Sequence, residues 1–231
     1  VISTAALEQV MNEELVAAAC QTGDDAQALA DFRSRLEATP LPNDLATVLA
    51  DEIKHRGWET IPLAVRSSAP MEDSARASFA GIHHSQLNVV GLDAIGAAVK
   101  SVWASLWTLQ AVAYRQRLEI AEAGMAVVIM PMLPAVAAGV AFSCDPVSGR
   151  DDRIVINAVP GLADALVSGQ VSGEEITLEG DVLGENYRVV HRFGAASGLT
   201  DVSAIKLAAL VQETVFALDY SAPWYDIEWV W

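Results

Sequence analysis

Three stretches of this sequence carry reactive side chains at spacings that could do chemistry. The first, VRSSAPMEDSARASFAG, runs from Val65 to Gly81. A short apolar run, Ile61 to Val65, delivers Arg66 into a loop of serine, alanine and glycine. A guanidinium offers forked donors, and small residues let backbone N–H groups approach closely, so the pattern suits phosphate. The second is the C-terminal YDIEWVW, where Asp226 and Glu228 stand one residue apart. Alternate residues of a strand share a face, so both carboxylates project to one side. A buried pair of like charges needs a cation, and Mg²⁺ shared with phosphate oxygens is the usual answer. A solvated polar face on an edge strand is the competing reading. The third is His83-His84. Consecutive residues point apart, and His55 and His191 are distant in sequence. The pair reads better as loop residues that line or cap a pocket than as zinc ligands.

Other nucleophile patterns are missing. No serine sits in a G-x-S-x-G elbow, and no glycine-rich loop ends in G-K-[ST]. Glu72, Asp73 and Arg76 read as a solvated loop face. Nothing near Cys144 argues for a lowered thiol pKa, so it reads as a small buried residue at a strand end.

Composition narrows the class of function. Thirty acidic against fourteen basic residues give a formal charge of −16, which leaves no basic face for nucleic acid. Hydrophobic residues make up 52% of the chain, so a packed core rather than disorder is expected. Cys20 and Cys144 are too few for a disulfide framework, which fits a reducing, cytoplasmic compartment. Met125 to Phe142 is 18 residues without a charge, long enough to suggest a membrane span. Pro131 and Pro134 would break that helix, and the run divides into two stretches of buried-strand size. No membrane association is therefore expected. The first residues lack a basic n-region and an initiator methionine, which predicts no signal peptide and a piece of something longer.

The elements that must position the reactive groups follow from periodicity. Helical spacing predicts helices over Thr4 to Cys20, Asp24 to Ala38 and Asp44 to Arg56. A strand over Ile61 to Arg66 follows, then the loop, a short strand from Ser85 to Val89, and one long helix from Leu92 to Ile120. A strand pair within Met125 to Cys144 leads to a turn at Asp145-Pro146 and Ser148-Gly149. Further strands are expected over Arg153 to Val159, Glu174 to Glu185 and Tyr187 to Arg192. Short and long helices fit Leu162 to Val167 and Val202 to Leu218, and the final strand is PWYDIEWVW. Helices first and a mixed, largely antiparallel sheet later predict an α+β fold in two lobes. The expected division is 1–60 as the helical part of the N-terminal lobe, 61–124 as strand, phosphate loop and long helix, and 125–231 as the C-terminal lobe.

Taken together, four stretches resemble one family. VRSSAPMEDSARASFAG followed by LNV, AAGVAFSCDPVSGR, PGLADALVSGQV and YDIEWVW resemble, in order, motifs of the nucleotide-binding domain of phosphoenolpyruvate synthase and pyruvate phosphate dikinase. Rifampicin phosphotransferase shares that domain. The resemblance covers roughly residues 61–231 and implies an ATP-grasp fold with ATP held between two lobes. It implies that Arg66 contacts the nucleotide phosphates and takes the catalytic role. Gly81, His83, His84 and Ser85 would belong to the loop over the phosphates. Met130, Met132 and Leu133 would lie on the hinge strand beside adenine. Asp226 and Glu228 would hold Mg²⁺. The implied activity is transfer of phosphate from Mg·ATP to a histidine on a separate swivelling domain.

Departures from the family pattern bear on that expectation. The family's GGK-x-x-x-L segment is not found in this sequence, and VISTAAL is similar to the stretch just after it. A strand with glutamine and arginine that follows the EW motif is likewise not found. Met130 stands where glutamine is usual, and Asp164 where the family has glutamate. Two alternatives therefore accompany the leading expectation: a degenerate ATP-grasp domain kept for binding or assembly, and the ATP-binding domain of an antibiotic phosphotransferase.

Overall fold

The computed structural model describes residues 1–69, 73–74, 77–78, 84–118, 124–180, 186–219, 222 and 224–231. The fold is α+β and ATP-grasp-like, with two compact units, Val1–Met132 and Leu133–Trp231. The division falls downstream of the boundary expected after residue 124.

The first unit opens with four helices: α1 (Thr4–Val10), α2 (Glu13–Thr22), α3 (Ala26–Ala38) and α4 (Asn43–His55). The single helix expected over Thr4 to Cys20 is broken in two. Asn12 has extended backbone, and its side-chain oxygen accepts from the Leu15 amide at 2.9 Å. An asparagine that can cap a new helix competes with continuing the old one, and Glu13 and Glu14 favour the new N-terminus. After α4 come β1 (Leu63–Ser68), the two-residue strands β2 (Asp73–Ser74) and β3 (Ala77–Ser78), and β4 (Gln86–Val89). The long helix expected from Leu92 is also divided, into α5 (Leu92–Ala104), a 3₁₀ turn over Ser105–Trp107, and α6 (Leu109–Arg117). Thr108 makes the break: its backbone is extended and its hydroxyl caps the Ala111 amide at 3.2 Å. β5 (Ala126–Pro131) closes the unit.

β4, β1 and β5 form an antiparallel sheet in that order. Its inner face, with Leu63, Val65 and Val127, packs on Val99, Val102 and Trp103 of α5. Trp103 is fully buried and donates its indole N–H to the Met125 carbonyl at 3.1 Å, which satisfies its one polar atom. Phe32 and Trp107 stack at a tilt with ring centres 4.9 Å apart. Lys100 donates to the Glu37 and Thr39 carbonyls and so caps the C-terminal end of α3.

The second unit contains β6 (Ala137–Phe142), β7 (Arg153–Pro160), α7 (Asp164–Val167), β8 (Glu174–Glu179), β9 (Arg188–Phe193), α8 (Asp201–Ala217) and β10 (Asp226–Val230). Its five-stranded sheet has the order β10-β6-β7-β8-β9. The largely antiparallel character expected from sequence extends to every pairing among the described strands. β5 and β6, expected as a strand pair, do not pair with each other: β5 joins β1, while β6 lies between β10 and β7. The uncharged run from Met125 to Phe142 is thus two strands in two sheets. Among the described residues no helix is long and apolar enough to cross a membrane.

One face of the second sheet packs on α8 through Ala141, Ile154, Ile156, Ile176 and Leu178 against Ala204, Leu207, Ala208 and Val211. Gly139, in the middle of β6, is required by crowding. A Cβ there would lie 1.8 Å from the Asn157 carbonyl oxygen. Among the described residues of the same unit one carboxylate is buried, Glu174, 5% exposed. Its Oε2 accepts from the Ser197 amide at 2.8 Å and hydroxyl at 2.6 Å, and Arg192 lies 3.5 Å from Oε1. Burial alone would push this carboxyl up, but the Ser197 hydroxyl and amide, with Arg192, hold it below the ordinary carboxylate value.

Two outcomes follow for stability. Gly139→Ala should cost about 3 kcal/mol or more in urea denaturation, because the obstacle is backbone that cannot rotate away. Glu174→Gln should cost about 2–3 kcal/mol at pH 7. A carboxyl with a depressed folded-state pKa stabilises above its unfolded value and loses that contribution as pH falls through the folded one. The gap between wild type and Glu174→Gln should therefore be widest near neutrality and close as pH falls below about 4.

Candidate functional site

The two sheets divide the described candidate residues between them. In the first, β1 delivers three buried residues, Leu63, Ala64 and Val65, and then the exposed Arg66. Arg66 is opposite Val128, and Ala64 opposite Met130. Cross-strand partners share a face, so Arg66 and Met130 lie on the same outer side of this sheet. Met130 is 38% exposed and Leu133 58%. Met132 donates its amide to the Pro62 carbonyl at 2.9 Å, which fastens the end of β5 to the residues before β1. His84 and Ser85 are exposed and lead into β4, whose Gln86 is opposite Val65. Gly81 and His83 lie outside the described residues, as do Glu72 and Arg76 of the same loop.

In the second sheet, β10 is an edge strand on β6. Asp226 and Glu228 are exposed, Ile227 is half-buried and Trp229 is 8% exposed. The alternation expected from DIEW is present: both carboxylates are on one side, and Ile227 and Trp229 turn toward α8. Register places Asp226 opposite Phe142 and Glu228 opposite Val140. Beyond β6 the same side continues with Val155 opposite Phe142 and Asn157 opposite Val140. The carboxylates therefore border a mostly apolar strip, which excludes water from one flank of anything they bind.

Two supporting groups escape sequence reasoning. Ser143 and Tyr225 clasp the start of β10: the Ser143 amide donates to the Tyr225 carbonyl at 2.9 Å, and the Tyr225 amide to the Ser143 hydroxyl at 2.8 Å. The Tyr225 phenol oxygen in turn accepts from the Ala222 amide at 2.9 Å. These contacts fix where Asp226 enters the sheet. A serine 82 positions before its partner leaves no periodic signal in the sequence.

The turn after β6 is the one the dipeptides suggested. Asp145 Oδ1 accepts from the Val147 and Ser148 amides at 2.9 and 3.2 Å, and the Ser148 hydroxyl donates to Oδ2 at 2.6 Å. Gly149 closes it with φ +70°, a conformation glycine adopts at little cost. The Ser148 hydroxyl, the two amides and Arg153 hold the Asp145 carboxyl below its ordinary value. Cys144 precedes this turn, half-buried and free rather than fully buried as expected. Burial, then the charges of Asp145 and Asp151, push its thiol up. Its environment opposes a nucleophilic thiolate. Among the described residues no three His, Cys, Asp or Glu side chains converge as a metal cage.

This is an ATP-grasp-like domain with one outward-facing arginine in its first sheet and a carboxylate pair in its second. Residues 1–197 match the family of the pyruvate phosphate dikinase AMP/ATP-binding domain, and the chain belongs to that family. It is 36% identical over 178 residues to a phosphoenolpyruvate synthase of Aeropyrum pernix, which covers 74% of this chain and 22% of the relative. It is 35% identical over 230 residues to a rifampicin phosphotransferase of a Streptomyces species, covering 89% of this chain and 26% of the relative. A prodigiosin synthesizing transferase of Serratia marcescens is 42% identical over 142 residues, covering 62% of this chain and 16% of the relative. The chain thus spans about a quarter or less of the length of these relatives.

The thiol assignment has a direct check. At pH 7 iodoacetamide should label exposed Cys20 ahead of Cys144, and the Cys144 rate should rise steeply above pH 9 as the thiolate forms.

Proposed function

We propose that this chain is the Mg·ATP-binding module of a dikinase-like phosphotransferase that phosphorylates a histidine on a separate domain. The observation that carries this reading is the family match over residues 1–197 together with a carboxylate pair held on one side of β10. Arg66 is the residue we assign to the phosphates, where a guanidinium can hold two oxygens of a transferring group at once. His84 and Ser85, with Gly81 and His83 of the same loop, are assigned to the phosphate cover. Met130, Met132 and Leu133 are assigned to adenine. With the Met132 amide already given to Pro62, that peptide has its carbonyl rather than its N–H to offer a base.

The donor set fits Mg²⁺. Asp226 and Glu228 supply hard oxygen ligands, and two carboxylates plus phosphate oxygens and water are how this ion is commonly held. Bound there, Mg²⁺ would offset the phosphate charge, and the apolar strip of Val140 and Phe142 would strengthen its attraction by excluding water. Catalysis of this kind is mostly positioning and charge neutralisation, which matches a site without a nucleophile of its own.

A second reading concerns the acceptor. The alignment with the rifampicin phosphotransferase covers 89% of this chain, against 74% for the phosphoenolpyruvate synthase. This favours keeping an antibiotic-modifying transferase beside a pyruvate-directed one as the parent enzyme.

Calorimetry with Mg·ATP tests the assignment. Wild type should bind at submillimolar concentration, and EDTA should weaken binding strongly. Arg66→Ala and Glu228→Gln should each lose about tenfold or more in affinity. Wild-type binding with both variants unchanged would overturn the residue assignment, and no binding by wild type would support the degenerate-domain alternative.

A further inference from the structure

The strand RIVINAVP is apolar except at its first residue and at Asn157. Asn157 is half-buried, and its carboxamide has no hydrogen-bond partner among the described residues. Its neighbours Ile156 and Ala158 are fully buried against the α8 side, so Asn157 projects to the opposite side of the sheet. Register fixes what it shares that side with. Glu228 is opposite Val140, and Val140 is opposite Asn157, so the three form one row across β10, β6 and β7. The Asn157 carboxamide is open to solvent rather than buried, so a ligand on that side of the sheet can reach it.

We propose that Asn157 is a ligand-positioning residue of the nucleotide site, donating its side-chain N–H to a phosphate oxygen of the group held by Asp226 and Glu228. The inference rests on the Mg·ATP reading above. Two strand spacings separate the Asn157 and Glu228 backbones, roughly 10 Å. Asn157 and Glu228, reaching inward from either side, would hold a cation and a phosphate between them. Val140 between them supplies a floor without competing polar atoms. A neutral donor suits this place, because it can pair with a phosphate oxygen without adding charge, and a second cation is not needed where Mg²⁺ sits.

The test measures Mg·ATP and adenosine affinity for wild type, Asn157→Ala, Asn157→Asp and Glu213→Gln by calorimetry. Asn157→Ala should weaken Mg·ATP about tenfold and leave adenosine unchanged. Asn157→Asp keeps the shape but turns the donor into an anion, so it should lose at least as much even if the alanine variant folds poorly. Glu213, exposed on α8 at the other face of the sheet, is the control; its charge removal should leave Mg·ATP affinity unchanged. Wild-type affinity in both Asn157 variants, with Glu228→Gln impaired, would overturn this inference and leave the ATP reading standing. An equal loss of adenosine and Mg·ATP would overturn it too, by showing a general disturbance of the sheet. Failure of wild type to bind Mg·ATP at all would remove both.

Discussion

The pairing of β10 with β6 decides which way Asp226 and Glu228 point. Strand side chains alternate, so a slip of one residue would turn both carboxylates toward α8 and bring Ile227 and Trp229 out. Several features hold the register. Trp229 and Ile227 pack with the α8 core, and Trp229 stands opposite Gly139, where β6 has no side chain. The Ser143–Tyr225 clasp fixes the first rung. The buried Trp229 indole nitrogen has no acceptor among the described residues, an unmet hydrogen bond that costs about 1–3 kcal/mol. Apolar burial of the large ring outweighs it. Stability is thus given up at one atom for a position that keeps the acidic residues outward.

Charge works against this domain binding a polyphosphate. A chain with net charge −16 repels a nucleotide at long range, so affinity has to come from short-range groups. Many of the cations are already committed to acids. Glu179 is within 2.7 Å of both Arg150 and Arg188, and Arg150 also pairs with Asp152. Arg192 is tied to Glu174 and Asp201. That distribution assigns the salt bridges around β7, β8 and β9 to the scaffold rather than to a ligand.

Much of this was legible in the residues. The strand DIEW announced its own alternation, the Asp-Pro and Ser-Gly dipeptides announced the turn after β6, and the charge-free run announced two strands once its prolines were weighed. Helix length was misread at Asn12 and Thr108, because a capping side chain sits inside an otherwise continuous apolar period and local hydrogen bonding wins over propensity. Strand partnership was misread at β5 and β6 for a different reason. Nearness in sequence favours pairing, but β5 completes the sheet begun by β1, more than fifty residues earlier. Sequence alone shows neither the Ser143–Tyr225 clasp nor the row that joins Glu228 to Asn157, since both depend on long-range register.

The peptide passes from the first unit to the second only once, between Met132 and Leu133. Each half is therefore an uninterrupted stretch of sequence with its own sheet and its own hydrophobic cluster. A single splice point separates the part bearing Arg66 from the part bearing the acidic pair. In evolutionary terms either half can drift, be exchanged or be replaced as one block, without unpicking strands from a shared sheet. The same property makes the Met132–Leu133 junction the natural place to divide the molecule into two fragments, each with its own sheet and core.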